Sequence, residues 1–215
     1  MADKYMQIML TPAVQQAQDH YFGGHDVVEN APVADPLTPR ETAFIGMRDS
    51  FYMATVSESG WPYVQHRGGP PGFVRVLGPS RLGFADYQGN QQMLSTGNLA
   101  ASDKVALFMM DYPRRARLKI LGHARVVDAR EHAELFADLA DEALRPRVER
   151  FVLIDVVSYD WNCPKYITQR FTAAEVERAV EPLRDRIAEL EAQLAVLKGG
   201  DGSGGAGSGG DTPGA

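Results

Sequence analysis

Six short runs decide how this chain folds: FYMATV (51–56), WPYVQH (61–66), GFVRVL (72–77), RLGFADY (81–87), VALFMMD (105–111) and ARLKILGHARVV (116–127). Each is rich in β-branched or aromatic residues, and Ser-Gly, Gly-Pro, Gly-Asn or Tyr-Pro breakers separate them. Such regular spacing favours an antiparallel barrel, closed or nearly so, over a parallel sheet, which needs a crossover helix between successive strands. FVLIDVVSY, from Phe151, reads as a further buried strand that completes the barrel. The expected fold is mainly β with helices, an α+β protein with six to seven antiparallel strands.

The flanks follow helical rules. Pro12 to Tyr21 reads as a short helix and residues 23–37 as a loop. Thr38, Pro39 and Glu41 match an N-cap, a first-turn proline and a capping-box glutamate, so a helix is expected from Pro39 to about Arg48, with Phe44 and Ile45 facing the core. Gln91 to Asn98 and Arg130 to Asp141 read as two further helices, the second amphipathic through Leu135, Phe136 and Leu139. Later, Val176, Val180, Leu183, Ile187, Leu190, Leu194 and Leu197 alternate spacings of four and three, a heptad seam. Thr172 and Glu175 supply a second capping box, and Pro182 marks a kink or restart. Such a helix is marginal alone in water, so it is expected to pair with another copy or to lie on its own barrel. The organisation is an N-terminal helix and loop (1–37), a barrel domain (38–171), a heptad helix (172–198) and a Gly/Ser tail (199–215) too poor in apolar residues to order.

With 215 residues the chain can bury a real core, and its length suits one main domain with appendages. No run approaches the roughly 18 apolar residues of a membrane span, and no secretory signal is read at the start. A cytoplasmic protein without a membrane partner is expected. Cys163 is the only cysteine, which excludes an internal disulfide or a paired-cysteine zinc site, and no metal site is read. Its neighbours Asn162 and Pro164 offer no activating base, and no catalytic side chain is assigned. A formal charge of −6 argues against nucleic acid, which requires a broad basic surface. Locally the sign reverses. No acid lies between Trp61 and Ala85, which include Arg67, Arg75 and Arg81; none lies between Tyr112 and Val127, which include Arg114, Arg115, Arg117, Lys119 and Arg125. These stretches indicate a small anionic ligand or, alternatively, solvated strand faces.

Three segments bear on such a ligand. Residues 84–92, FADYQGNQQ, leave an apolar strand and open a helix; unpaired amides at a helix start can hold a phosphate, although a plain turn has the same composition. Arg115, Arg117 and Lys119 occupy alternate strand positions and are expected on one face of the sheet. Residues 65–72, QHRGGPPG, end a strand in polar side chains and bend through a loop that lets a flat ring approach the backbone. His66 reads equally as a plain strand residue, and Trp161 as core.

In that order, DSFYMATVSESGWPYVQHRGGPPGF, LGFADYQGNQQMLSTGNL, KVALFMMDYPRRARLKILGHARVV and DWNCPKYI resemble an FMN-binding branch of the pyridoxamine 5'-phosphate oxidase-like family over roughly Phe44 to Phe171. The resemblance implies a split β-barrel, a homodimer with the flavin at the subunit interface, and an FMN-dependent oxidoreductase acting on a small molecule. It implies cofactor contacts from Gln65, His66, Arg67 and Arg75, from Asp86, Asn90, Gln91 and Gln92 at the helix opening, from Arg117 and Lys119, and from Trp161, Asn162 and Lys165. Gln91 and Gln92 stand where the true oxidases have an arginine-lysine pair, and Pro164, Lys165 and Tyr166 replace their arginine-rich end, so vitamin B6 oxidation is not expected. Within the same architecture the alternatives are a flavin or haem binder or redox sensor without turnover, and a deazaflavin-dependent reductase.

Overall fold

A computed structural model describes residues 3–161 and 164–200, in two compact units, Met1–Gln169 and Arg170–Ala215. The first unit opens with α1 (Asp3–Met9), α2 (Pro12–Phe22) and α3 (Pro39–Gly46), then β1 (Ser50–Val56), β2 (Pro62–Gly68), β3 (Arg75–Gly78) and β4 (Arg81–Tyr87). It continues with α4 (Leu94–Ala101), β5 (Lys104–Asp111), β6 (Ala116–Asp128), the short α5 (Phe136–Leu139) and β7 (Val148–Trp161). The second unit contains α6 (Ala173–Gly200). The Gly/Ser tail beyond residue 200, Asn162 and Cys163 lie outside the described residues.

The seven strands form one antiparallel sheet in the order β2-β1-β5-β6-β7-β4-β3. The expected α+β fold with a seven-stranded split barrel is what forms. Full closure does not occur: β2 and β3 remain edges with no ladder between them among the described residues. The inner face is continuous, with Phe51, Met53, Leu107, Met109, Leu118, Ile120 and Ile154 all essentially inaccessible to water. A second cluster, Ala85, Phe151, Leu153 and Leu139, sits where Phe136 meets Phe151 edge-on at 5.0 Å between ring centroids. At the β6–β7 bulge a Cβ on Gly122 would come within 2.7 Å of the Asp155 carbonyl oxygen, so only glycine permits that approach.

Local signals fail at two helices. The segment 130–141 does not start at Arg130, because Asp128 accepts from both its backbone N–H (2.8 Å) and its guanidinium, which holds a turn there; helix is confined to a 3-10 turn at Ala133–Leu135 and to α5. The helix expected from Gln91 begins only at Leu94, because Gln91 and Met93 adopt φ of 61° and 55°, outside helical space. The expectation that Arg115 lies on a strand with Arg117 and Lys119 is also corrected: Arg115 has φ 52° in the turn before β6, so only Arg117 and Lys119 share a face.

Two buried carboxylates fasten α3 to the sheet. Glu41 completes the Thr38 capping box and accepts 2.6 Å from the Trp161 indole at the end of β7. Asp111, ending β5, binds Arg48 at 2.8 Å and Arg114 at 3.0 Å. Burial alone would push the Glu41 carboxyl up, but hydrogen bonds from Thr38 and Trp161 outweigh it and hold it below the usual range. Burial is likewise outweighed at Asp111, by hydrogen bonds from Arg114 and by the Arg48 charge. Both groups have folded pKa values below the unfolded ones, so their stabilisation is complete above the unfolded carboxylate range. It is lost as pH falls below the unfolded carboxylate range and through the lowered folded values. Glu41→Ala should remove about 2 kcal/mol of stability, through the lost cap and the unpaired indole, and should flatten the acid limb of a urea-midpoint profile. An unchanged midpoint at pH 7 would show that this anchor is not stabilising.

Candidate functional site

β2 is an edge strand whose side chains alternate, so Gln65 and Arg67 share one side while His66 points to the other, 5.5 Å from the Tyr52 ring. Arg67 reaches across the split, where no backbone ladder exists, and pairs with Asp86 on β4. Antiparallel register places Arg150 of β7 directly opposite Asp86, and its Nε donates to Oδ2 at 3.1 Å. The result is a carboxylate held between two guanidiniums, with the three side chains only 9–19% exposed. Arg67 Nε is buried and has no partner.

The loop 88–93 supplies the remaining wall. The left-handed conformations at Gln91 and Met93 bend the chain, and α4 starts without a side-chain cap, so its first amides face outward from the helix end. Ser95 donates 2.7 Å to Gln65 Oε1 and ties the helix start to β2. Gln65, Arg67, Asp86, Asn90, Gln91 and Arg150 line a cleft of about 50 Å³, together with Tyr87, Ser95 and Thr96. Burial, then the Asp141 carboxylate, push the Tyr87 phenol up against the opposing pull of Arg75, so it stays a neutral hydroxyl. Arg150 also pairs with Glu149 at 2.9 Å, so the two guanidiniums meet two carboxylates, and the helix start adds its partial positive charge to a cleft small enough for a phosphate group. The unpartnered Nε of Arg67 is a donor that such an anion would satisfy.

Five expected residues therefore converge: Gln65, Arg67, Asp86, Asn90 and Gln91. Others do not. Arg75 is tied at 2.8 Å to Asp141 and does not line the cleft. Gln92 faces a neighbouring cleft beside Ser57, Glu58 and Asn98. Arg117 lies 5.7 Å from the Phe108 ring on the outer face with its own Nε buried and unpartnered, and Lys119 pairs with Asp160 at 2.8 Å beneath Tyr5. Trp161 is committed to Glu41, to Phe44 at 4.8 Å and to Arg40, a packing role. Lys165 sits 5.4 Å from the neighbouring Tyr166 ring, and Asn162 lies outside the described residues. Among the described residues no three His, Cys, Asp or Glu side chains are grouped for a metal, and no helix is long and apolar enough to cross a membrane. Arg150 escaped the sequence reading because its strand was started at Phe151. The signal was Arg150 at the mouth of the apolar run that follows it, legible only once β7 is set against β4.

Residues 37–157 match the family model described as pyridoxamine 5'-phosphate oxidase, more than half of the 215 residues. No curated protein matches the sequence. Among solved structures, HupZ from Group A Streptococcus is similar at 13% identity, over 63% of this chain and 100% of its own, with a TM-score of 0.45. An FMN-binding protein from Syntrophomonas wolfei is similar at 10% identity over 57% and 83%, TM-score 0.38. An F420 reductase is similar at 16% identity over 55% and 94%, TM-score 0.38.

Removing the shared carboxylate tests the cleft directly. Asp86→Asn leaves two partly buried guanidiniums side by side and should cost roughly 3 kcal/mol in low-salt buffer. Millimolar inorganic phosphate should restore most of that loss by standing in for the carboxylate. A variant as stable as the parent, or one that phosphate does not rescue, would contradict this charge arrangement.

Proposed function

The chain belongs to the pyridoxamine 5'-phosphate oxidase family, and from that premise we propose that it is an FMN-binding oxidoreductase whose flavin phosphate occupies the cleft between β2, β4 and α4. The observation that carries this reading is the buried, unpartnered Nε of Arg67 in a phosphate-sized cleft. Arg67 and Arg150 would hold the phosphate by charge-assisted hydrogen bonds, and the uncapped amides of α4 would add their partial charge. Gln65, fixed by Ser95, would orient the neighbouring chain of the cofactor. Bound FMN would supply the electron or hydride transfer to a small organic acceptor or oxygen. Asp86 would keep the two arginines extended towards the cleft when no anion is present.

A flavin carrier without turnover is the second reading, and Asp86 favours it. A carboxylate already engaged with both guanidiniums competes with the incoming phosphate, which weakens binding and suits exchange.

A homodimer is part of the proposal. The outer sheet face carries an apolar hollow of about 370 Å³, where Tyr5, Tyr52, Val64 and Phe108 surround Lys119. Such a face is costly to leave in water, and a second copy would cover it. Separately, α6 exposes Leu183, Ile187, Leu190, Leu194 and Leu197 on a heptad seam, which supports self-pairing of that helix.

Purified protein should be yellow, absorb near about 450 nm and release FMN on denaturation; colourless protein that takes up no added FMN would end the proposal. Anaerobic NAD(P)H should bleach the bound flavin, whereas binding without bleaching selects the carrier. Arg67→Ala and Arg150→Ala should each weaken FMN binding about 10- to 100-fold, while Arg75→Ala leaves it unchanged. Removing residues 172–215 should shift sedimentation towards monomer at low micromolar concentration. An assembly indifferent to that truncation would assign dimerisation to the barrel alone.

A further inference from the structure

The 28 residues of α6 leave their apolar seam uncovered: Leu183, Ile187, Leu190, Leu194 and Leu197 are 41–68% exposed. A lone helix of this kind is marginal in water, so a partner is needed along that seam. The seam sets the partner's shape, and the charges beside it set its direction.

Val180, Ile187 and Leu194 take the a positions of the heptad, and Leu183, Leu190 and Leu197 the d positions. A second copy laid in reverse sets Val180 against Leu197, Leu183 against Leu194 and Ile187 against Leu190, so every one of these side chains meets an apolar partner. The e positions are Glu177, Arg184, Glu191 and Lys198, negative and positive in turn. In an antiparallel pair e faces e, and reversing this series sets opposite charges on each other throughout: Glu177 on Lys198 and Arg184 on Glu191, each twice by symmetry. Arg186, at a g position, then falls beside Gln193, and no like charges meet. A parallel pair sets g against e of the next heptad instead. It gains only Arg186 with Glu191, while Ala179 and Gln193 give Arg184 and Lys198 no counter-charge. In the single chain Arg184 folds back along its own helix to Glu177, and Glu191 and Lys198 have no ion-pair partner among the described residues.

We infer that α6 pairs with the same helix of a second copy as an antiparallel two-stranded coiled coil, its register set by Arg184 against the partner's Glu191 and Glu177 against the partner's Lys198. The inference rests on the self-pairing proposed above, gives it a direction, and is independent of the flavin.

The test uses full-length chains carrying Cys163→Ser and one new cysteine each, Leu183→Cys or Leu194→Cys, the second with a tag that marks its size. Co-expressed and equilibrated in a glutathione redox buffer, the two should form a disulfide-linked heterodimer, while either variant alone stays uncrosslinked. Cross-linking of Leu183→Cys alone overturns the inference in favour of a parallel pair. Cross-linking in no combination also overturns it and removes α6 from the dimer, while FMN uptake by the same chains tests the flavin reading separately. Charge reversal gives an independent reading. Arg184→Glu should weaken the association contributed by residues 172–215 about tenfold in sedimentation, and Arg184→Glu/Glu191→Arg should restore it. In a parallel pair the double variant would bring a new arginine against the partner's Arg186, so further weakening overturns the inference.

Discussion

The split of the sheet is spanned by side chains rather than by backbone. β2 and β4 face each other without a ladder, and the Arg67–Asp86–Arg150 triad spans the gap. Hydrogen-bonded closure would have buried this line of contact and left no room for a ligand. Closure through three charged groups leaves a polar seam, with donors that a backbone ladder would have consumed. The feature that keeps the sheet from being a complete cylinder is therefore also the feature that leaves a polar cleft there. The start of α4 lies against that seam because Ser95 is tied to Gln65, so the helix end and the guanidiniums converge from opposite sides.

Much of the architecture was legible from rules that act over a few residues. The Thr38–Glu41 capping box, the alternation of VALFMMD and the breakers between strands each fix a local conformation whatever the rest of the chain does. The elements that departed from expectation are those where a distant or competing contact decides. Asp128 captures Arg130 and delays a helix; the left-handed Gln91 and Met93 postpone another. The missing site residue, Arg150, belongs to the same class. Its partner Asp86 lies sixty-four positions away, and only the β4–β7 register brings the two together.

The charge pattern separates local from global reading most clearly. The acid-free stretches around Arg67–Arg81 and Arg114–Arg125 looked basic in sequence, yet most of their cations find acids from elsewhere: Arg67 with Asp86, Arg75 with Asp141, Arg81 with Asp155 and Lys119 with Asp160. Pairing across strands is what an acidic chain of net charge −6 can supply. A run of cations in sequence therefore does not become a basic surface here. Arg115, Arg117 and Arg125 keep no ion-pair partner among the described residues, and they are the cations of these stretches left outside the pairing.

Asp86 gives the site its character. Without it, two guanidiniums would repel each other across the split; with it, the two edges of the cleft are held together. The same carboxylate engages both guanidiniums, so any anion entering the small cleft would compete with Asp86 for them. The stability of the split and the availability of its guanidiniums are thus linked through one side chain. Loosening that side chain would free the two arginines and open the split at the same time.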